Sequence, residues 1–301
     1  MQVPRDSLWK GILEDLFEDF LRYFYPEWSE QNVDFGHPFE FLDKELAKIY
    51  PLAEEKKRFA DKLVKVHLNT GGEHWLLVHI EVQGYADKTF PERMFTYFYR
   101  IRDKYRRDIM ALAILTDDQP GFHPRSYLYR HETTQLRYDF DTFKLLSKTE
   151  AELDLPGNIF SIVMLAAHKA LQKGLLEAQK QYEWKISLVR RLLAAGHPDK
   201  KIRQVLNFLR YYVDLKDEEF TQKFEDEVQV LTKNRKPMGI EEVIRTELIK
   251  RSEEKGEAKK ATEAVRNMLL RGFPDQDIIE ILEVDQEFID QVRASLAGEK
   301  K

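Results

Sequence analysis

Apolar residues recur at helical spacing from Ser7 to Tyr25, with Leu8, Trp9, Ile12, Leu13, Leu16, Phe17, Phe20 and Phe24 on one stripe. Glu14, Asp15, Glu18, Asp19 and Arg22 fall elsewhere on the wheel. The spacing predicts one amphipathic helix, capped by Asp6 or Ser7 and ended by Pro26. A second helical pattern runs from Phe39 to Tyr50 and stops at Pro51. The period then changes. Phe59, Leu63, Val64 and Val66 mark a strand within Arg58 to Leu68, Asn69-Thr70-Gly71-Gly72 supplies a turn, and Trp75 to Gln83 forms a second, strongly apolar strand.

Helical spacing returns from Phe90 to Tyr105 through Met94, Tyr97, Phe98 and Ile101. Asp108 to Leu115 is a continuous apolar run of the buried-strand kind, and further strands are expected at Ser126 to His131 and Gln135 to Tyr138. From about Ser161 the chain turns to helix formers, punctuated at Gly174, Gly196-His197-Pro198, Pro237-Met238-Gly239 and Gly272-Phe273-Pro274. The predicted fold is α/β, a mixed sheet core flanked by helices and followed by an all-helical C-terminal region. The expected domains are residues 1–155, a helical region over 156–240, and a charged helix with a small helical unit over 241–301.

Composition narrows the chemistry. The 301 residues are 43% hydrophobic and 34% charged, enough to build a core without staples. There is no cysteine, which removes disulfides, thiolate zinc sites and cysteine nucleophiles, so any metal must sit on oxygen or imidazole ligands. Residues 1–20 lack a secretory pattern, and no stretch reaches the roughly 18 to 20 apolar residues of a membrane-spanning helix, so a cytoplasmic protein with no membrane partner is expected. A net charge of -5 opposes broad coating of nucleic acid, yet Arg100 to Arg107 (RIRDKYRR) is a local basic strip. The terminal helices carry Asp275, Asp277, Glu280, Glu283 and Asp285, which favours protein contact or a homo-oligomer over DNA binding.

The candidate site lies on the hairpin. Side chains two apart on a strand share a face, so Glu81 and Gln83 project together, and the hairpin brings Asp61 beside them. Carboxylates aimed from apolar strands are costly to bury unless they are paired or bind a cation. A surface carboxylate pair is the other reading. No GxxxxGK[ST], GxGxxG, GxSxG or HExxH is present.

Phe59-Ala60-Asp61, His79-Ile80-Glu81-Val82-Gln83 and Pro91-Glu92-Arg93-Met94-Phe95-Thr96-Tyr97 together resemble the PD-(D/E)XK nucleases. Within them the pattern is similar to the recombination-promoting nuclease and putative transposase family of bacteria, over roughly residues 5 to 145. The resemblance implies a divalent-metal-dependent DNA endonuclease in which Asp61 and Glu81 ligate Mg²⁺ or Mn²⁺. Gln83 stands at the motif's lysine position and cannot act as an amine would. Glu14, on the first helix, is the candidate to complete the site, with Asp19 as a second choice. Arg93 and Tyr97, four apart on one helical face, are candidates to address a phosphate or brace the acids. The alternative implied is a noncatalytic nuclease-fold protein that binds nucleic acid or a protein partner.

Overall fold

The computed structural model describes residues 4–43, 60–69, 75–171, 177–215 and 217–232, together with the single positions Asp275, Gln286 and Arg293. The chain divides into two compact units, Met1–Pro237 and Met238–Lys301. In the second unit Asp275 accepts hydrogen bonds from Gln286 at 2.8 Å and Arg293 at 2.5 Å. The charged stretch 241–264 and the remainder of the expected small helical unit lie outside the described residues.

The first unit begins with α1 (Arg5–Asp15), α2 (Phe17–Phe24) and α3 (Pro26–Asn32). The single helix expected over Ser7 to Tyr25 is therefore two, separated at Leu16, whose φ of -125° and ψ of 30° leave the helical region. No Gly or Pro marks the break. Its sense lies in packing, because α1 lies against strand β2 (Ala60–His67) and a later helix, whereas α2 lies against α3 and a different later helix. Neither expected cap acts, since α1 starts after Pro4, and Pro26 opens α3 instead of merely ending a helix.

The sheet has the order β1-β2-β3-β4-β7, with β1 (Glu40–Phe41), β3 (Trp75–Gln83), β4 (Ile109–Leu115) and β7 (Asp141–Lys144). β2 runs antiparallel to both β1 and β3, and β4 and β7 run parallel to β3. Phe39 to Phe41 thus enters a strand, not the start of a helix. The rest of that expected helix, beyond Asp43, lies outside the described residues. β5 (Ser126–His131) and β6 (Thr134–Asp139) form a separate two-stranded ribbon.

Alternation along the strands sorts the sheet into two faces. Val64, Val66, Val78, Ile80, Val82, Leu112 and Ile114 pack into the main core with α1, α2 and the helices that follow the sheet. The opposite face is covered by α4 (Phe90–Tyr105), where Leu63 and Leu77 meet Tyr97 and Ile101, and Ala113 and Leu115 meet Phe90 and Met94. After a short α5 (Glu150–Leu153), helices α6 (Phe160–Leu171), α7 (Ala178–Ala194), α8 (Asp199–Tyr212) and α9 (Glu218–Leu231) complete the unit. Trp9 of α1 donates to the Tyr212 hydroxyl of α8 at 3.1 Å, so the boundary expected at 155/156 falls inside one continuous core. No described helix is long and apolar enough to cross a membrane.

Candidate metal centre

Strand register brings the acids together. Asp61 of β2 is the direct cross-strand partner of Glu81 of β3, and Leu63 is the partner of His79. Such partners stand with Cβ atoms about 4.5–5.5 Å apart on one face. That face also carries Gln83 and lies under α4, so Glu81, Gln83 and His79 are fully buried.

Helix α4 supplies a partner to each acid from residues four apart. The Tyr97 hydroxyl donates to Asp61 Oδ2 at 2.8 Å. Arg93 donates from Nε and Nη2 to Glu81 Oε1 at 2.8 and 2.6 Å, and Nη2 also reaches Gln83 Oε1 at 2.8 Å. A further donation from Nη1 to Asp87 Oδ2 at 2.7 Å ties the guanidinium to the loop before the helix. Asp87 was not foreseen from the sequence. Its signal was the Asp87-Lys88-Thr89 step ahead of Phe90-Pro91, where its carboxylate accepts from the Thr89 backbone and hydroxyl at 2.9 and 2.8 Å.

Each acid therefore has one oxygen engaged by α4 and one left over. Asp61 Oδ1 and Glu81 Oε2 are buried and have no hydrogen-bond partner. Burial pushes the Glu81 carboxyl up to about 8, and the nearby Asp61 charge adds to the rise. Burial also raises Asp61, opposed by the Tyr97 hydrogen bond. For Tyr97, burial and then the Asp61 charge hold the phenol well above its ordinary value, so it stays a donor.

Two orphaned carboxylate oxygens from register partners fit a hard divalent cation, because such ions take oxygen ligands and Mg²⁺ is commonly held by one or two carboxylates with water and phosphate oxygens. Among the described residues no group of three or more His, Asp or Glu is placed to hold a metal ion. His79 packs as an imidazole and is not brought to the acids as a ligand: its ring lies 4.9 Å from that of Tyr97, and burial depresses it to about 3. Both of its ring nitrogens lack hydrogen-bond partners.

Glu14 is not brought to this cluster. It pairs with the ammonium of Lys62, which Asp43 also engages. Lys62 follows Asp61 on β2, so its side chain leaves on the opposite face of the sheet. The expected completing acid therefore neutralises a buried lysine instead. Asp19, the second choice, is bound to Lys201 at 2.7 Å. Asp117, past the end of β4, has a turn role, accepting from the Gln119 backbone at 2.9 Å. It also forms a buried ion pair at 2.6 Å with Lys144, which the sequence did not signal.

No family model matches the chain, and searches of curated proteins and of solved structures also find no match.

Proposed function

We propose that the chain is a divalent-metal-dependent DNA endonuclease of the PD-(D/E)XK type, resembling the recombination-promoting nuclease and putative transposase family. The observation that carries the reading is the pair of orphaned oxygens, Asp61 Oδ1 and Glu81 Oε2, on directly paired strand residues. The order of elements supports it: a first helix, an Asp strand, a Glu-x-Gln strand, a helix bearing Arg93 and Tyr97, and an apolar strand parallel to the second.

Asp61 and Glu81 would hold Mg²⁺ or Mn²⁺, which when bound supplies polarisation of a phosphate oxygen and a lowered pKa for an attacking water. Tyr97 and Arg93 fix the carboxylates by their second oxygens, so the ligands are oriented before any ion arrives. Gln83 contributes no charge. Its amide oxygen instead receives Arg93, which leaves the guanidinium as the cation nearest both strand residues.

The test is cleavage of supercoiled plasmid DNA by the full chain with Mn²⁺ or Mg²⁺. The wild type nicks and linearises the plasmid, whereas Asp61→Asn and Glu81→Gln do not. Absence of cleavage by the wild type of both plasmid and single-stranded DNA with either ion defeats the enzymatic reading. A second reading, a noncatalytic nuclease fold that binds nucleic acid or a protein partner, is favoured by one observation, that Arg93 already neutralises Glu81. It predicts binding of nucleic acid or a protein partner without ion-stimulated cleavage.

A further inference from the structure

We propose that the outer side of α4, with the facing surface of the β5–β6 ribbon, is a stacking platform for an unpaired nucleic-acid strand. The inference rests on the nuclease reading and concerns the form of its substrate. While Arg93 and Tyr97 point inward from α4 to the acids, Phe95 and Tyr99 leave the helix on another side. There the rings form a near-parallel row. Tyr99 and Phe95 have centroids 6.3 Å apart at 25°, and Phe95 and Tyr127 have centroids 5.2 Å apart at 14°. Tyr129 follows Tyr127 on the same face of β5, opposite Leu136 of β6. The row does not end in the core: Tyr99 is 54% exposed and Tyr129 45%.

The exposed Tyr99 and Tyr129 rings, braced by the half-buried Phe95 and Tyr127, offer what an unstacked base needs, since every base has a π-face and stacking tolerates any sequence. A duplex has its bases already stacked and gains nothing from such a surface. The charge beside the platform selects the same occupant. Between Arg100 and Asp108 the chain places five cations, Arg100, Arg102, Lys104, Arg106 and Arg107, against two acids, Asp103 and the Asp108 that lies 3.8 Å from Arg102, in a protein of net charge -5. That run attracts a phosphate backbone and repels its own copy on a second chain.

The experiment is fluorescence anisotropy of a labelled oligothymidylate with the full chain in EDTA. Tyr99→Ala and Tyr129→Ala each weaken binding roughly 5- to 100-fold, and Tyr99→Trp binds as tightly as the wild type. A duplex of equal length binds more weakly than the single strand. Arg102→Gln with Lys104→Gln flattens the dependence of affinity on salt. Unchanged oligothymidylate affinity in both alanine variants overturns the proposal, as does dissociation of an oligomer by those substitutions in sedimentation, which would make the surface a contact between copies. Asp61→Asn retains strand binding, so a failure of cleavage and a failure of the platform are read separately.

Discussion

Asp61 and Glu81 face each other across β2 and β3, and α4 takes one oxygen from each, through Tyr97 and Arg93, leaving the other two oxygens without partners. A buried acceptor without a donor costs about 1–3 kcal/mol. An ion between them would remove that penalty twice over.

Binding of an ion at this pair is expected to depend on pH. With the Glu81 carboxyl held up to about 8, an arriving cation displaces a proton below that pH. Mn²⁺ affinity rises by about tenfold per pH unit up to about pH 8 and then levels off. Calorimetry in buffers of different ionisation enthalpy reads the released proton, and Glu81→Gln abolishes it.

The same group makes the ion-free protein lose stability with pH. Its folded pKa lies above the unfolded one, so its contribution is fully present below the ordinary carboxylate range and is lost as pH rises to about 8. Thermal melts in EDTA therefore fall across that window, and Mn²⁺ restores them. Melts flat with pH would mean that Glu81 ionises freely in the folded state.

Replacing Tyr97 by Phe strands Asp61 Oδ2 and destabilises the fold by about 1–3 kcal/mol, read from denaturant midpoints. Arg93→Met is harsher. It strips the donors from Glu81 Oε1 and Gln83 Oε1 and pushes the Glu81 carboxyl further up, adding about 1–3 kcal/mol of loss for the second stranded acceptor.

Glu14→Ala leaves Mn²⁺ affinity unchanged, because Glu14 engages Lys62 on the other face. Reduced affinity in that variant would return Glu14 to the ion site. Lys62→Met destabilises the fold by about 1–3 kcal/mol, read from denaturant midpoints, because it strands the Asp43 carboxylate, one oxygen of which is already buried without a partner, while the half-exposed Glu14 turns to water.

The hairpin, its acids and the Arg93–Tyr97 spacing were legible because strand alternation and the four-residue helical repeat are local rules. What escaped depends on partners distant in sequence. Phe39 to Phe41 carries an apolar pattern that suits a helix, and only pairing with β2 makes Glu40 and Phe41 a strand. β7 is too short to signal itself and exists because β4 offers a parallel edge. Glu14 sits at the border of a correctly read stripe, yet its role follows from Lys62, a residue whose burial no periodicity announces. The helices after residue 155 read as a separate body because their composition changes, whereas Trp9 and Tyr212 tie them to α1.

Successive positions 61 and 62 put an acid on one side of β2 and a base on the other, each met by opposite charge or a donor from a covering helix. Sliding that strand by a single residue one way would set the Lys62 ammonium where Asp61 stands, near the Arg93 guanidinium, and the other way would set the Asp61 carboxylate where Lys62 stands, beside Glu14 and Asp43. Hydrophobic burial alone would tolerate the shift poorly, and these like-charge encounters forbid it twice. The alignment that sets Asp61 opposite Glu81 is thus also the one that keeps these like charges apart.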